Sequence, residues 1–245
     1  MNIITIDPSL TCTAMCLNGK HFIYTTKSVA QNKSGSYKRW FDQMKDYTTY
    51  RVFDGVPSNL PYSRSDVAKL GVYGEISSSM IRDIKSHSTW EDSIVCIEGY
   101  SYSSATQSIL DLVTLGTLIR SKIILDITPH LMVISPSTLK VRACELTYGK
   151  KFNAKGKKVP SVNNNGVAGG RFKKPEMLDA LLENDCLTSD WYVNILRNMS
   201  NDLKSLGKVP KPIEDLNDAK LMYEIILKIA EDNYDTNRIE SELLA

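Results

Sequence analysis

The sequence predicts an α/β fold: a mixed sheet of five strands, three antiparallel and then parallel ones, flanked by helices. Three observations predict it. The opening stretch, residues 1–27, holds three apolar runs, and Asn18-Gly19 between the last two signals a tight hairpin. Two later runs, 94–97 (Ile-Val-Cys-Ile) and 131–134 (Leu-Met-Val-Ile), are short and unbroken, as central buried strands are. The stretches around them carry apolar residues at helical spacing. Strands first and then alternating helices and strands give a mixed sheet covered by helices.

In order, residues 2–6 alternate and are rich in isoleucine, so they read as a strand; Pro8 and Ser9 then turn the chain, and 11–17 and 21–27 form the hairpin. Residues 28–64 are polar and aromatic, contain Gly35, Gly55, Pro57 and Pro61, and lack a period, so they read as an insertion or irregular excursion. Within it Tyr37, Trp40 and Phe41 flank Lys38 and Arg39; packing onto the body is the plain reading, stacking on unpaired bases the alternative. Residues 66–86 repeat Val67, Leu70, Ile76, Met80 and Ile84 as a helix does, against Gly71 and Gly74. Helices are also expected at 104–124, at 136–148 with proline in the first turn, at 174–184 and at 215–231. Between them, 149–172 holds five glycines and three consecutive asparagines and reads as a basic flexible loop, open to disorder without a ligand. A variable segment at 185–213 contains Pro210 and Pro212. No internal repeat is apparent, and the whole of 1–245 reads as one domain with these insertions.

A composition of 42% hydrophobic and 24% charged residues suits a globular protein, and a net charge of +2 gives no overall sign of a polyanionic partner. The charge is uneven, however: residues 146–175 hold eight basic residues and no acidic one, which suits nucleic-acid contact. Scattered cysteines (Cys12, Cys16, Cys96, Cys144, Cys186) and three separated histidines argue against zinc and for reduced thiols in a cytosolic protein. The first apolar run is too short for a signal peptide, and no stretch nears about 20 apolar residues, so no membrane partner is expected.

Four carboxylates stand out. Asp7 ends the first strand and Glu98 ends the run at 94–97, while Asp215 and Asp218 open the late helix. Each has a plain explanation. Asp7-Pro8 is a common turn, Glu98 can emerge into solvent, and Asp215 and Asp218 can cap a helix and favour its positive end. Yet residues three apart on a helix share a face. Two strand-end carboxylates and a helical pair are what is needed to hold hard divalent cations against a phosphate. Glu214 and Asn217 are nearby spares. Lys140, Lys173 and Lys174 can meet phosphates, and Lys150, Lys151, Lys155, Lys157, Lys158 and Arg171 can hold a nucleic-acid backbone without reading its sequence.

These segments bear a family likeness. Ile6-Asp7-Pro8-Ser9-Leu10-Thr11 resembles the first-strand motif of RuvC-like Holliday junction resolvases, members of the RNase H-like nuclease superfamily. Ile97-Glu98 is similar to the second acidic site, and Asp215-Leu216-Asn217-Asp218-Ala219 to the C-terminal D-x-x-D-A helix. Ile134-Ser135-Pro136-Ser137-Thr138-Leu139-Lys140 and Gly170-Arg171-Phe172-Lys173-Lys174 resemble two further segments in family order. Ser9 replaces a family glycine. The resemblance implies an RNase H-like fold and an endonuclease that cuts four-way junctions and other branched DNA, leaving 5′-phosphate and 3′-hydroxyl ends. It implies two Mg²⁺ ions per active site, with Mn²⁺ able to substitute, held by Asp7, Glu98, Asp215 and Asp218. It also implies a homodimer, with Tyr100 or Tyr102 as an aromatic wedge. The added segments look like those of viral or phage members, which would act in the host cytoplasm. The alternatives are a branched-DNA-binding protein without catalysis, a ribonuclease H acting on RNA–DNA hybrids and, third, an actin-like phosphotransferase.

Overall fold

The computed structural model describes residues 2–32, 37–87, 89–90, 93–100, 106–128, 130–232 and 236–244. Its first three strands are β1 (Asn2–Asp7), β2 (Cys12–Leu17) and β3 (Lys20–Thr26). β2 and β3 close through Asn18 at φ 48° and Gly19 at φ 78°, the paired left-handed residues a two-residue hairpin turn demands. Two short helices follow, α1 (Lys27–Ala30) and α2 (Tyr37–Met44), then β4 (Thr49–Phe53), the long α3 (Tyr62–His87) and β5 (Ser93–Glu98). Next come α4 (Thr106–Asp126), β6 (Leu131–Ile134) and α5 (Pro136–Tyr148). Ser135 caps α5 by accepting from the Thr138 amide at 3.0 Å, with Pro136 in the first turn.

The sheet has six strands in the order β4-β3-β2-β1-β5-β6. β2 runs antiparallel to both β1 and β3, β5 and β6 run parallel to β1, and β4 runs parallel to β3. The five expected strands are all present; the sixth, β4, lies in the segment expected to be irregular. Its sequence, Thr-Tyr-Arg-Val-Phe, is β-prone but partly exposed, as an edge strand is, so it shows no buried apolar run. Arg51 on β4 reaches buried Asp83 of α3 at 2.6 and 3.1 Å, and Tyr24 donates to the same carboxylate at 2.9 Å, tying the edge to the helix beneath. Trp40, Phe41 and Met44 are buried, so the aromatic cluster of α2 packs on the body.

Helices cover both faces. Ile4, Ile6, Met15, Phe22, Val95 and Ile97 point to α3 and α4. Ile3, Cys12, Cys16, Ile94 and Cys96 point to the other layer, built from α5, α6 (Lys174–Leu182), α7 (Trp191–Asn198) and α9 (Ile213–Asp232). The segment at 185–213 is thus folded: α7 and α8 (Ser200–Ser205) bury Tyr192, Val193, Leu196 and Leu203. A last helix, α10 (Thr236–Leu244), was not expected; Ile239 and Leu243 seat it on the same layer.

Residues 149–172, expected to be a flexible loop, form two successive turns of one design. β7 (Lys151–Phe152) pairs with β8 (Lys158–Val159) around the first. There the Asn153 side-chain oxygen accepts from the Lys155 and Lys157 amides, both at 3.0 Å, and Gly156 takes φ 71°. Ten residues on, Asn163 accepts from Asn165 and Val167 at 3.0 and 2.8 Å, and Gly166 takes φ 78°. The repeated Asn-x-x-Gly is legible in the sequence as a turn repeat, because asparagine closes the turn and glycine tolerates its left-handed residue. A 3-10 turn at Gly169–Arg171 then packs on α5, with no room for a Cβ at Gly169, which would lie 2.9 Å from Cys144 Cβ and 3.0 Å from Val141 Cα.

Among the described residues, no helix is long and apolar enough to cross a membrane.

Candidate metal centre

Strand parity places the first two carboxylates. In β1, Ile3 and Thr5 face the α9 layer while Ile4 and Ile6 face the other, so Asp7 falls on the α9 side. In β5, Ile94 and Cys96 face α9, so Glu98 does too. The strands are parallel neighbours with Ile6 opposite Ile97, which sets Asp7 and Glu98 side by side one residue further on. The helix is then brought across them. Thr5 Oγ1, buried, donates to the Ala219 carbonyl at 2.6 Å, pinning α9 to β1 directly after Asp218.

Carboxylate oxygens of Asp7, Glu98 and Asp218 accordingly lie within 4.8 Å of one another, all three residues buried. Asp215, one turn earlier on α9, lines the same cleft without joining that group. Capping, its plain alternative explanation, does not hold, because α9 begins two residues before it, at Ile213. The cleft, about 520 Å³, is completed by Pro8, Ser9, Gly99, Lys140, Lys174, Lys211 and Glu214.

Packing like charges in a buried place is unfavourable, and it shifts each carboxyl upward. Burial, then the neighbouring Glu98, pushes the Asp7 carboxyl well above the usual range. Burial, then Asp218, raises Glu98. Asp215 and Asp218 are each pushed up to about 7, chiefly by burial, although lysines draw them down. Those lysines are Lys174, whose Nζ bonds Asp218, and Lys211, whose Nζ bonds Asp215. Glu214 stands 3.7 Å from the first and 3.4 Å from the second. Asp218 Oδ1 and Asp215 Oδ2 remain buried without a hydrogen-bond partner. Unsatisfied buried oxygens of this kind are costly unless something cationic completes them. All donors are oxygen, the set that suits Mg²⁺ or Mn²⁺ rather than zinc. The residues present fit such an ion.

Of the four acids singled out in the sequence, Asp7, Glu98 and Asp215 therefore line one cleft, and Asp218 lies within 4.8 Å of the first two. Lys140 and Lys174 join them there. Lys211 was missed; its signal was its position four residues before Asp215, where an ion pair can form. Asn217 turns away and accepts from the Tyr192 hydroxyl at 2.7 Å. Tyr100 is seated against α4, donating to the Val113 carbonyl at 3.2 Å beneath the Arg120 guanidinium, with Gly116 leaving space for its ring. Tyr102 lies outside the described residues. Lys150, Lys151, Lys155, Lys157, Arg171 and Lys173 are exposed, while Lys158 pairs with Glu145 at 2.9 Å.

Fold and site together define an α/β protein with a mixed six-stranded sheet and a buried acidic triad able to hold a metal ion. Comparison with known protein families and with curated proteins found no match.

Proposed function

We propose that the protein is a divalent-metal-dependent endonuclease of the RNase H-like, RuvC-like type that resolves Holliday junctions and other branched DNA. The observation that carries this reading is the convergence of Asp7, Glu98 and Asp218 from three separate elements within 4.8 Å. The sheet supports it: β3-β2-β1 antiparallel, then β5 and β6 parallel to β1, is the arrangement the resemblance calls for, with β4 added at one edge.

Asp7, Glu98, Asp218 and Asp215 would hold Mg²⁺ or Mn²⁺. Such an ion supplies Lewis-acid polarisation of a phosphodiester at neutral pH. Lys140 and Lys174 face the cleft and draw the phosphate towards the acids. Hydrolysis adds water across the P–O3′ bond: the hydroxyl joins phosphorus, the proton goes to the departing O3′, and 5′-phosphate and 3′-hydroxyl ends result. The exposed lysines of the paired turns grip backbone phosphates without reading sequence. Symmetric cuts on a junction call for two copies related by a two-fold axis.

The test is cleavage with Mg²⁺ of a four-way junction, a flap, an RNA–DNA hybrid and a linear duplex, with Asp7→Asn beside the wild type. The junction is cut by the wild type, and the variant binds it without cutting. Cleavage of the hybrid alone would assign a ribonuclease H. Binding without cleavage by the wild type would assign an idle junction binder, and full activity in Asp7→Asn would remove the mechanism.

A further inference from the structure

Asp215 and Asp218 share a face of α9, yet only Asp218 joins the triad. Asp215 is instead held by Lys211, which enters from the segment before the helix, and its other oxygen is buried without a hydrogen-bond partner. Counting charge explains why a lysine is needed there. Asp7, Glu98, Asp215 and Asp218 carry four negative charges when ionised, and Lys174 and Lys211 return two. One divalent cation at the triad completes the balance with both lysines in place, Glu214 and Lys140 on the cleft wall offsetting each other. A second would leave two adjacent excess positive charges in a buried cleft unless an ammonium withdrew.

Resting on the metal-centre reading above, we propose that Lys211 holds the place of a second divalent cation at Asp215 and withdraws when that cation binds. Lys211 is the suited one of the pair because it bonds Asp215, the carboxylate outside the triad, whereas Lys174 bonds Asp218 within it. The Lys211 Nζ already stands 3.4 Å from Glu214, a partially exposed carboxylate on the cleft wall, so it has a second resting partner within a short swing. Its long stem allows that swing without movement of α9, which the Thr5–Ala219 bond holds to the sheet. The lysine thereby keeps Asp215 compensated in the metal-free protein and sets a threshold for loading the second ion.

The experiment is calorimetric titration of the metal-free protein with Mn²⁺ alone, without DNA, comparing wild type and Lys211→Met. At low Mn²⁺ the wild type takes up one ion per chain and the variant two, the wild type gaining its second only at higher Mn²⁺. An equal or smaller number in the variant overturns the proposal. Should Lys211→Met fail to fold, reductive methylation of the wild type followed by mass spectrometry decides: modification of Lys211 rises at saturating Mn²⁺, and an unchanged level overturns the exchange. A folded wild type that takes up no Mn²⁺ at all would sink the metal-centre reading itself, whereas uptake without a gain in the variant sinks the exchange alone.

Discussion

Replacing Asp218 by Asn should make the metal-free protein more stable while disabling its site. Asp218 titrates at about 7 in the fold against an ordinary 3.8, because burial and the neighbouring Asp7 penalise its charge more than Lys174 relieves it. A carboxyl raised in the folded state contributes stability below its unfolded value and loses it as pH rises through the folded one. The interval from 3.8 to about 7 corresponds to roughly 4 kcal/mol at pH 8, accumulating at about 1.4 kcal/mol per pH unit. Asparagine keeps the shape and removes the charge. For a chain of this size that is a rise in Tm of about 10 °C in chelator at pH 8, shrinking towards zero near pH 4. The assay is thermal unfolding from pH 4.5 to 8.5, in chelator and in Mg²⁺. In Mg²⁺ the wild type recovers, since the bound cation compensates the charges, and the advantage of Asp218→Asn narrows. An effect in chelator that is absent at pH 8, or that does not fall with pH, would refute the picture of an overcharged buried cluster.

Further outcomes follow from other parts of the molecule. Gly169→Ala drives a Cβ into Cys144 and the Val141 backbone, so it should cost about 1–3 kcal/mol in chemical denaturation. His21, buried and stacked on Tyr192 with both nitrogens unpartnered, is pushed down to about 3 by burial. It stays neutral in the fold while the unfolded chain takes a proton near 6.5, so stability is full above that pH and falls by about 1.4 kcal/mol per pH unit below it. His21→Phe should flatten that decline relative to the wild type in acid unfolding curves. Lys155→Gln with Lys157→Gln should reduce the slope of log affinity against log salt for duplex DNA by about 2, leaving Mn²⁺ uptake unaltered.

Much of the central sheet was legible because its strands are either apolar runs or a hairpin marked by Asn18-Gly19. Strand parity gives each of Asp7 and Glu98 its face, and the parallel pairing of β1 with β5, a long-range contact, sets them side by side. β4 escaped because an exposed edge strand carries no buried pattern, and its partner in burial, Asp83 with Arg51, is a pairing between residues 32 apart. The turns at Asn153 and Asn163 were read by composition, as glycine and asparagine in a loop, when their spacing was the informative part. α7 and α8 lie between prolines and polar residues, yet each buries only a few apolar side chains, too few for a clear period.

Position alone does not make a site of the four acids. Two neighbouring parallel strand ends would leave Asp7 and Glu98 as a repelling pair, and a helix start would leave Asp215 as an ordinary first-turn carboxylate with Asp218 one turn on. The difference is made by residues that are not acidic. Thr5 fixes where α9 crosses β1 through a buried bond to Ala219, and a helix slid by one turn, about 5.4 Å, would carry Asp218 out of the triad. Lys174 and Lys211 then make the crossing tolerable before any cation is bound, since buried carboxylates without partners would force the layers apart. A positioning threonine in the strand, a lysine opening α6 and a lysine just before α9 therefore belong to the site as much as the carboxylates do. Thr5 and Lys211 attract no notice in the sequence, where threonine reads as strand and lysine as surface, and Lys174 stands out there only as a phosphate contact.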